Sequence, residues 1–469
     1  MNRAKGLALS LALSLPMLGP ATGSRAESGS GVTPSMTLPA ALDYARSHQP
    51  SLQAAQARIE VAKAAASSVR AEWLPQLGAT AQLFYGTMNN STAMFLGVRA
   101  VDLPRIGGSR GDGGFGDAYP STVVALGLRQ PIYDFGRLAA LAAAADAETA
   151  GARSRALAEG LDVGLSVETL FYSVLSAHAV ERAAEEAYRR SLVRRDMVKA
   201  SVDRGLRPAI DLTRAEADLT RFAVGRTRAA GGLEQAQALL AAVVGVPDLL
   251  LDAAPAEPAR VDVDAAPAPL PPLGEAIAEA LSRDPGLQVA LARLAAQQAG
   301  TRATTLRLAP SLALSAGLSG RAGGAPTTGG PSPQSGWVPS VPNWDVGVVL
   351  QGPLFDGTVL AARRQSQAQE VVLRHEIDAV KRRLLSEIQR GYTAFMSAQA
   401  MLPALFAANA AAQRNYEQAS ARFRVGLSTS VELADAEVLR TDAEIQLSIG
   451  RFEVLRARAA FNRSLARGL

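Results

Sequence analysis

The chain has 469 residues, a formal net charge of +5, no cysteine and three histidines. The lack of cysteine excludes disulfides, thiolate metal sites and a cysteine nucleophile, and the histidines are too far apart in sequence to predict a zinc site. Acidic residues accompany the Lys and Arg residues along most of the chain, which is typical of solvated helix surfaces and argues against a nucleic-acid partner. We therefore predict no cofactor and no metal, and no grouping of nucleophile and base indicates an enzyme.

The N-terminus has the three-part layout of a secretory signal. Arg3 and Lys5 precede an apolar run over residues 7–18, and small residues follow up to Ala26. The sequence therefore predicts a signal peptide at residues 1–26. The apolar run is shorter than the roughly 20 residues that a membrane-spanning helix needs, so a helical inner-membrane protein is not expected.

The rest of the chain contains two copies of one plan. Pro50 and Pro285 stand in similar short motifs, as do Pro75 and Pro310, and both pairs are 235 residues apart. A segment rich in Pro and Ala between the copies is typical of an extended connector. The sequence predicts a first repeat at residues 27–252, a linker at 253–272 and a second repeat at 273–469.

Each repeat contains two segments in which apolar residues alternate with small or polar ones, which is the period of a β-strand. These segments lie at about residues 76–86, 122–131, 311–320 and 344–353. A tilted strand of about ten residues can cross a bilayer with one face toward lipid and one toward a water-filled lumen. Aromatic residues lie at the strand ends, as in the girdles of outer-membrane barrels: Trp73, Tyr85, Tyr133, Phe135, Trp344 and Phe355. A half-buried sheet of a soluble protein is the alternative for the strands alone.

A very long helix is predicted after each strand pair. Residues at about 136–204 and 357–424 are rich in alanine and carry charges throughout. At about 1.5 Å per residue, each helix would be on the order of 100 Å long. Four strands cannot close a barrel, and an open edge in lipid would leave backbone groups unpaired, so the chain must oligomerise.

Together these features resemble the TolC family of outer-membrane efflux proteins. The resemblance covers residues 38–465 and rests on the repeat, the strand pairs, the junctions at Pro131 and Pro353, and the glycine-leucine turns at Gly205 and Gly426. It implies an α + transmembrane β fold, in which a homotrimer shares a twelve-stranded β-barrel above a long periplasmic α-helical barrel. It also implies that shorter helices stack end to end beside the long ones. The expected location is the outer membrane, in contact with its lipid and extending into the periplasm.

The resemblance assigns roles at the turns that follow the two long helices. In the family these tips meet a periplasmic adaptor, and the matching residues here are Arg204, Gly205, Leu206, Val425, Gly426, Leu427 and Ser428. Glu432 and Asp435 match acidic rings inside the closed periplasmic entrance. A simple C-cap for each turn, and a favourable first-turn charge for each carboxylate, are the alternatives.

One further acid, Asp211, matches a residue that helps to hold the entrance closed in some relatives. The chain departs from the family's pattern at two partner positions, where Phe423 replaces a tyrosine and Ser428 replaces an arginine. We therefore expect opening to depend on other contacts or to cost less.

The resemblance implies the outer-membrane channel of a tripartite export system. Its expected partners are a periplasmic adaptor and an inner-membrane RND or ABC transporter. Export of small molecules is the favoured interpretation, and the outer-membrane step of type I protein secretion is the alternative. A periplasmic coiled-coil scaffold would explain the helices but not the strands or the signal. The sequence does not identify the cargo.

Overall fold

The structure is a computed structural model that describes residues 33–87, 118–247, 250–254, 270–323 and 341–467. The predicted signal peptide lies outside the described residues, as do most of the predicted linker and most of the two loops that join the paired strands.

Apart from two short strands in the first repeat, the described parts of the two repeats have the same order of helices and strands. The first comprises β1 (Ser35–Met36), α1 (Leu38–His48), α2 (Pro50–Ala71), β2 (Gln76–Thr87), β3 (Ala118–Tyr133), α3 (Arg137–Asp203), α4 (Ala209–Val244) and β4 (Asp252–Ala253). The second comprises α5 (Leu273–Arg283), α6 (Pro285–Thr305), β5 (Ser311–Gly323), β6 (Val341–Gln351), α7 (Gly357–Arg424) and α8 (Ser430–Ser464). A 3-10 turn at Leu306–Leu308 joins α6 to β5.

Strand β3 is longer at both ends than the predicted 122–131, although it contains two prolines. Pro120 pairs with Tyr85 of β2, one residue before the pairing of β3 with β5 begins at Ser121. Pro131 pairs with Ala313 of β5, two residues after the pairing of β3 with β2 ends at Arg129. The register with β5 also shifts just after Pro131. Within the described residues, both prolines thus lie where β3 has one neighbouring strand, so the missing amide protons interrupt little of the ladder.

Strand β6 begins at Val341 and ends at Gln351, so it is displaced from the predicted 344–353. The next two residues are Gly352 and Pro353, and a proline has no amide proton to continue the ladder. A Cβ at Gly352 would lie 2.7 Å from the Cα of Pro310, so this position requires glycine for close backbone approach.

The four long strands form one antiparallel sheet in the order β2, β3, β5, β6. Its register places large apolar side chains on one face, where Leu126 pairs with Leu318 and Leu318 with Trp344. Ten large apolar side chains on this face are between 42% and 80% exposed in the single chain: Leu77, Leu83, Tyr85, Val124, Leu126, Leu318, Trp344, Val346, Val348 and Leu350. An exposed apolar band of this kind suits a lipid environment.

The opposite face of the sheet carries small and polar residues. One row across all four strands consists of Gly78, Gly127, Gly317 and Asp345. The Asp345 side chain lies over Gly317, where a Cβ would come within 2.7 Å of the Asp345 Oδ1. Within the described part of the chain, the outer edges of β2 and β6 have no partner strand, so the sheet does not close on itself.

The helices α3 and α7 have 67 and 68 residues, so each is on the order of 100 Å long. Each contains a stretch that is apolar enough to cross a membrane by length and composition. At that length each helix is about three times as long as a bilayer's hydrocarbon core is thick. Helix α3 packs against α2, α4, α6 and α8, and α7 packs against α6 and α8, so both long helices are packing partners within a helical wall.

The shorter helices stack end to end along the long ones, as the resemblance implied. Beside α3, the side chain of Gln49 at the start of α2 donates a hydrogen bond to the carbonyl of Val243 at the end of α4, at 3.0 Å. Gly245 ends α4 with φ of 82°. Beside α7, Leu465 at the end of α8 packs with Ala276 of α5. The helical wall is therefore continuous in space where the chain itself turns away.

A two-stranded parallel sheet lies beside the first of these helix joints. Ser35 of β1 pairs with Asp252 of β4. The Nε2 atom of His178 on α3 lies 2.7 Å from Oδ1 of Asp252, which fixes the small sheet to the long helix. The surrounding apolar core includes Val167 and Phe171 of α3.

Candidate functional site

The first tip is a helix ending of the Schellman type. The amide of Gly205 donates to the carbonyl of Val202 at 2.8 Å, and the amide of Leu206 donates to the carbonyl of Ser201 at 2.9 Å. Gly205 has φ of 72°, a left-handed conformation that glycine adopts without a Cβ clash. The chain therefore reverses tightly at the end of α3.

The second tip repeats this geometry after α7. The amide of Gly426 donates to the carbonyl of Phe423 at 3.2 Å, and the amide of Leu427 donates to the carbonyl of Arg422 at 2.9 Å. Gly426 has φ of 79°. The matching hydrogen bonds show that the two tips share one structure, which the paired glycine-leucine motifs predicted.

Apolar side chains project from both tips. Leu206 is 73% exposed, Leu427 is 71% exposed and Val425 is 70% exposed. In the Schellman motif the residue after the glycine usually packs back on its own helix, so an exposed leucine at that position in both tips is unusual. Exposed apolar side chains at the end of a long helical hairpin are available to a partner protein.

The two tips differ in charge at equivalent positions. These positions are 221 residues apart: Arg204 and Val425, Arg207 and Ser428, Asp211 and Glu432, and Arg214 and Asp435. The first tip therefore carries three arginines where the second carries one aspartate and two uncharged residues. Each tip also has an internal contact between two residues that are four apart in sequence. Arg207 Nη1 lies 3.5 Å from Asp211, and Ser428 Oγ donates to Glu432 at 2.6 Å.

Contacts between the two hairpins join the predicted site residue Asp211 to the second tip. The Ser430 hydroxyl at the start of α8 donates to Asp211 Oδ1 at 2.9 Å. The Arg207 guanidinium lies over the Phe423 ring, with its Cζ 4.1 Å from the ring centroid. Phe423 is buried with Val198 in a small apolar cluster. We call Arg207, Asp211, Phe423 and Ser430 the tip clamp.

The tip clamp shows how the departures from the family's pattern are accommodated. Phe423 has no hydroxyl to bind Asp211, and its ring instead receives the Arg207 guanidinium. Ser428 bonds to Glu432 within its own hairpin and makes no bond to Asp211. The acceptor role of Asp211 is filled by a donor from Ser430, which the sequence comparison with the family did not single out.

The other two predicted gate residues, Glu432 and Asp435, are exposed at the start of α8. The amide of Glu432 donates to the hydroxyl of Thr429, which caps the helix. Asp435 lines a cavity of about 380 Å³ together with Arg194 and Arg214. The backbone of Glu432 thus takes part in the start of α8, and Asp435 lines a cavity.

A buried ion pair lies further from the tips, between α3 and α8. The Arg190 Nε donates to Glu437 Oε1 at 2.6 Å, and Glu437 is 3% exposed. Burial lowers the pKa of Arg190, but the hydrogen bond and the charge of Glu437 outweigh this effect and hold the pKa above its usual value. Burial raises the pKa of the neighbouring Tyr416 hydroxyl, and the Glu437 charge adds to that rise. The Arg190 guanidinium therefore stays charged, and its hydrogen bond to Glu437 links the two hairpins.

The sequence analysis did not identify this ion pair. Arg190 and Glu437 are 247 residues apart, and each stands among other charged residues of an amphipathic helix. The spacing carries no signal for such a contact, because the relative rotation of α3 and α8 decides which charges meet. Among the described residues there is also no group of three or more acidic or histidine side chains that could hold a metal ion.

Comparisons with known proteins agree with this architecture. The sequence profile described as "Outer membrane efflux protein" matches residues 41–246 and 276–467, one segment in each repeat. That profile describes transport channels and not enzymes. No curated protein sequence matches the chain.

Solved structures of outer-membrane channels share the fold over almost the whole chain. The outer-membrane channel OprN is 22% identical, with 92% of this chain and 90% of that chain covered and a TM-score of 0.73. The CmeC channel of Campylobacter jejuni is 16% identical, with 98% and 95% covered and a TM-score of 0.72. The MtrE channel of Neisseria gonorrhoeae is 20% identical, with 92% and 89% covered and a TM-score of 0.70.

The profile match and these structures confirm the TolC-like resemblance and the location in the outer membrane with an extension into the periplasm. Members of the family form trimeric channels. The chain belongs to the outer membrane efflux protein family.

Proposed function

We propose that this protein is the outer-membrane channel of a tripartite export system, which carries substrates from an inner-membrane RND or ABC transporter and a periplasmic adaptor to the exterior. The observation that supports this most strongly is the pair of matching tips at the far end of helices on the order of 100 Å long. Their exposed leucines lie at the ends of the long helices that are farthest from the sheet. This arrangement suits a conduit that meets a partner deep in the periplasm.

The trimer is part of the proposal for this chain. The four-stranded sheet has free edges at β2 and β6, and an unpaired edge is costly in lipid. Three copies would join these edges into a barrel of twelve strands, which lies within the range of outer-membrane barrels. The glycine-rich face would then line the lumen, and the face with Leu77 and Trp344 would contact lipid.

Roles at the tips are proposed from the same geometry. The exposed turn residues Arg204, Gly205, Leu206, Val425, Gly426 and Leu427, followed by the buried Ser428, would contact the adaptor. Asp211, Glu432 and Asp435 would form the gate, where three copies each of the exposed Glu432 and Asp435 carboxylates near one axis would favour cations. The tip clamp would hold the gate closed within each subunit.

Small molecules are the cargo that we favour, because the matching family profile is that of efflux proteins. Type I protein secretion remains the second candidate, since both systems need a conduit of this length. The two differ in the cells' phenotype. Deletion of the gene should raise susceptibility to small toxic compounds in the first case, and should abolish secretion of a polypeptide without that change in the second.

The channel itself is tested by conductance in planar bilayers. We expect small, cation-selective currents from the purified trimer, and we expect the Glu432→Ala, Asp435→Ala double variant to lose cation selectivity. The matched control is Glu376→Ala, Asp378→Ala, which removes two exposed carboxylates about 70 Å from the tip along α7. Folded, membrane-inserted protein without any channel would refute the proposed function. An equal loss of selectivity in the control would refute only the gate assignment.

A further inference from the structure

Two cavities between α3, α4 and α8 form one groove beside the tip clamp. Their volumes are about 830 and 380 Å³, and they share Arg214, Ser430 and Val431. The charged residues of the groove are Arg194, Arg204, Arg207, Arg214, Arg424, Asp211, Asp218 and Asp435. Five arginines and three aspartates give the groove an excess of positive charge in every subunit.

Most of the carboxylate charge in the groove is already used. Asp211 accepts from Ser430 and lies 3.5 Å from Arg207. Asp218 accepts from Arg194 Nη2 at 2.7 Å. Asp435 is the one aspartate of the groove without an ion pair within the described residues.

Three arginines of the groove have no carboxylate within 4.0 Å in the part of the chain that the structure describes: Arg204, Arg214 and Arg424. All three are exposed at the rim of the larger cavity. Planar guanidinium groups bind carboxylates through paired hydrogen bonds, so three of them around one cavity can hold two or more carboxylates.

A buried donor in the smaller cavity also lacks an acceptor. The Arg194 side chain is 6% exposed, and its Nη1 has no hydrogen-bond partner among the described residues. A buried charged donor without an acceptor is costly, so native proteins usually supply one. Arg194 lines the cavity, so an acceptor placed there by a bound group would relieve the cost.

The helix ends add to the positive potential of the groove. Helices α4 and α8 begin at Ala209 and Ser430, beside the larger cavity. The N-terminus of a helix presents unpaired amide groups and the positive end of the helix dipole. The arginines and both helix starts therefore favour the same kind of ligand, an oxyanion.

We propose that this groove binds carboxylates from an acidic segment of the periplasmic adaptor, next to the exposed Leu206 and Leu427. The occupant is argued from charge complementarity and from place, because the groove opens at the end of the chain where the exposed apolar side chains are presented. A matching segment would carry two or more acidic residues close to an apolar residue. This inference rests on the proposed adaptor contact, and it adds the chemistry of the adaptor's side.

The test uses a defined probe, a fluorescein-labelled hexaglutamate peptide, with hexalysine as the opposite charge. Fluorescence anisotropy is measured with the full-length protein in a nonionic detergent at low and at moderate salt. We expect saturable binding of hexaglutamate that weakens with salt, and no binding of hexalysine. The variant Arg204→Gln, Arg214→Gln, Arg424→Gln should weaken hexaglutamate binding at least tenfold.

A matched control removes the same charge elsewhere. Arg58→Gln, Arg364→Gln, Arg382→Gln replaces three exposed arginines of α2 and α7 that lie outside the groove, and it should change hexaglutamate affinity less than twofold. An equal loss of hexaglutamate affinity in both triple variants would overturn the proposal, because binding would then depend on net charge and not on the groove. Circular dichroism checks that both variants keep their helices.

A second source of carboxylates is a neighbouring copy of the chain. If that copy filled the groove, the wild-type trimer would not bind hexaglutamate and the groove variant would lower trimer stability, and this pair of results would overturn the proposal. Channel conductance separates this inference from the proposed function. Loss of hexaglutamate binding by the groove variant supports the groove assignment whatever its conductance, whereas failure of every form to conduct would count against the channel alone.

Discussion

The tip clamp gives a prediction that separates two serines only two residues apart. Ser430 donates to Asp211 across the two hairpins at 2.9 Å, whereas Ser428 donates to Glu432 within one hairpin at 2.6 Å. If the clamp holds the proposed gate closed, Ser430→Ala should open the channel and Ser428→Ala should not. The two substitutions remove the same hydroxyl group and leave the tip glycines unchanged.

The magnitude follows from the contacts that are lost. A hydrogen bond to a charged group contributes about 1.5–3 kcal/mol, and a partly buried cation–π contact contributes about 0.5–2 kcal/mol. Ser430→Ala should therefore shift the closed-to-open equilibrium by about 1.5–3 kcal/mol per subunit, which is roughly a tenfold to hundredfold gain in the open population for each clamp. Adding Arg207→Gln removes the contact with Phe423 and should increase the effect.

The assay is single-channel recording in planar bilayers, with the open probability and conductance as readouts. We expect Ser430→Ala to raise both, and Ser428→Ala to match the unmodified protein. Equal opening by the two serine variants would refute the reasoning, because the bond within one hairpin cannot hold two hairpins together. An unchanged Ser430→Ala channel would show that the clamp does not resist opening.

Three other predictions concern stability. Glu437→Gln leaves the partly buried Arg190 guanidinium with Glu186, at 3.4 Å, as its remaining carboxylate and should destabilise the protein by about 1.5–3 kcal/mol, measured by thermal unfolding, with exposed Glu417→Gln as a control that should have little effect. Burial raises the pKa of the Glu168 carboxyl, against the opposing charge of Arg458, so the folded state favours its neutral form. The stability that this raised pKa contributes is present below the pKa of the unfolded state and is lost as the pH rises through the pKa of the folded state. Glu168→Gln should therefore raise the unfolding temperature at pH 7 and leave it unchanged at pH 4. An equal rise in unfolding temperature at both pH values would contradict this. Gly317→Ala places a Cβ 2.7 Å from Asp345 Oδ1, so the carboxylate must move and trimer yield after refolding should fall, whereas Gly347→Ala meets no atom within 4 Å and should be tolerated.

The strands and long helices could be predicted because each has a local signal. The alternation around Leu314 and Val348 has the period of a strand, and in the observed register these two residues pair on one face. The alanine-rich stretches predict helix wherever charged and apolar residues alternate at helical spacing. Pro403 alone favours a break in this helix, but α7 continues through it. Its packing in a helical wall outweighs a local cost of about 3 kcal/mol.

The contacts that join the hairpins could not be predicted from the sequence. Asp211 and Ser430 are 219 residues apart, and the family's pattern pointed to Phe423 and Ser428 as the partner positions. Helix spacing fixes which residues share a face of one helix, but it does not fix how two hairpins rotate against each other. The turns themselves were predictable, because a glycine at positive φ followed by leucine is a local requirement that both repeats satisfy.

The stacked short helices have a mechanical consequence. The two helix joints lie where Gln49 contacts Val243 and where Leu465 packs with Ala276. At this level of the described wall, only α3 and α7 continue as unbroken helices. The other two columns of the wall are held there by side-chain contacts, including Arg463 with Asp162 of α3 at 2.7 Å. Resistance to twisting at this level thus depends on two continuous helices and on the side-chain packing of the helix ends against them. A torque applied at the tips would be taken up as rotation at this level, so the sheet in the membrane would remain still while the far end of the protein turns.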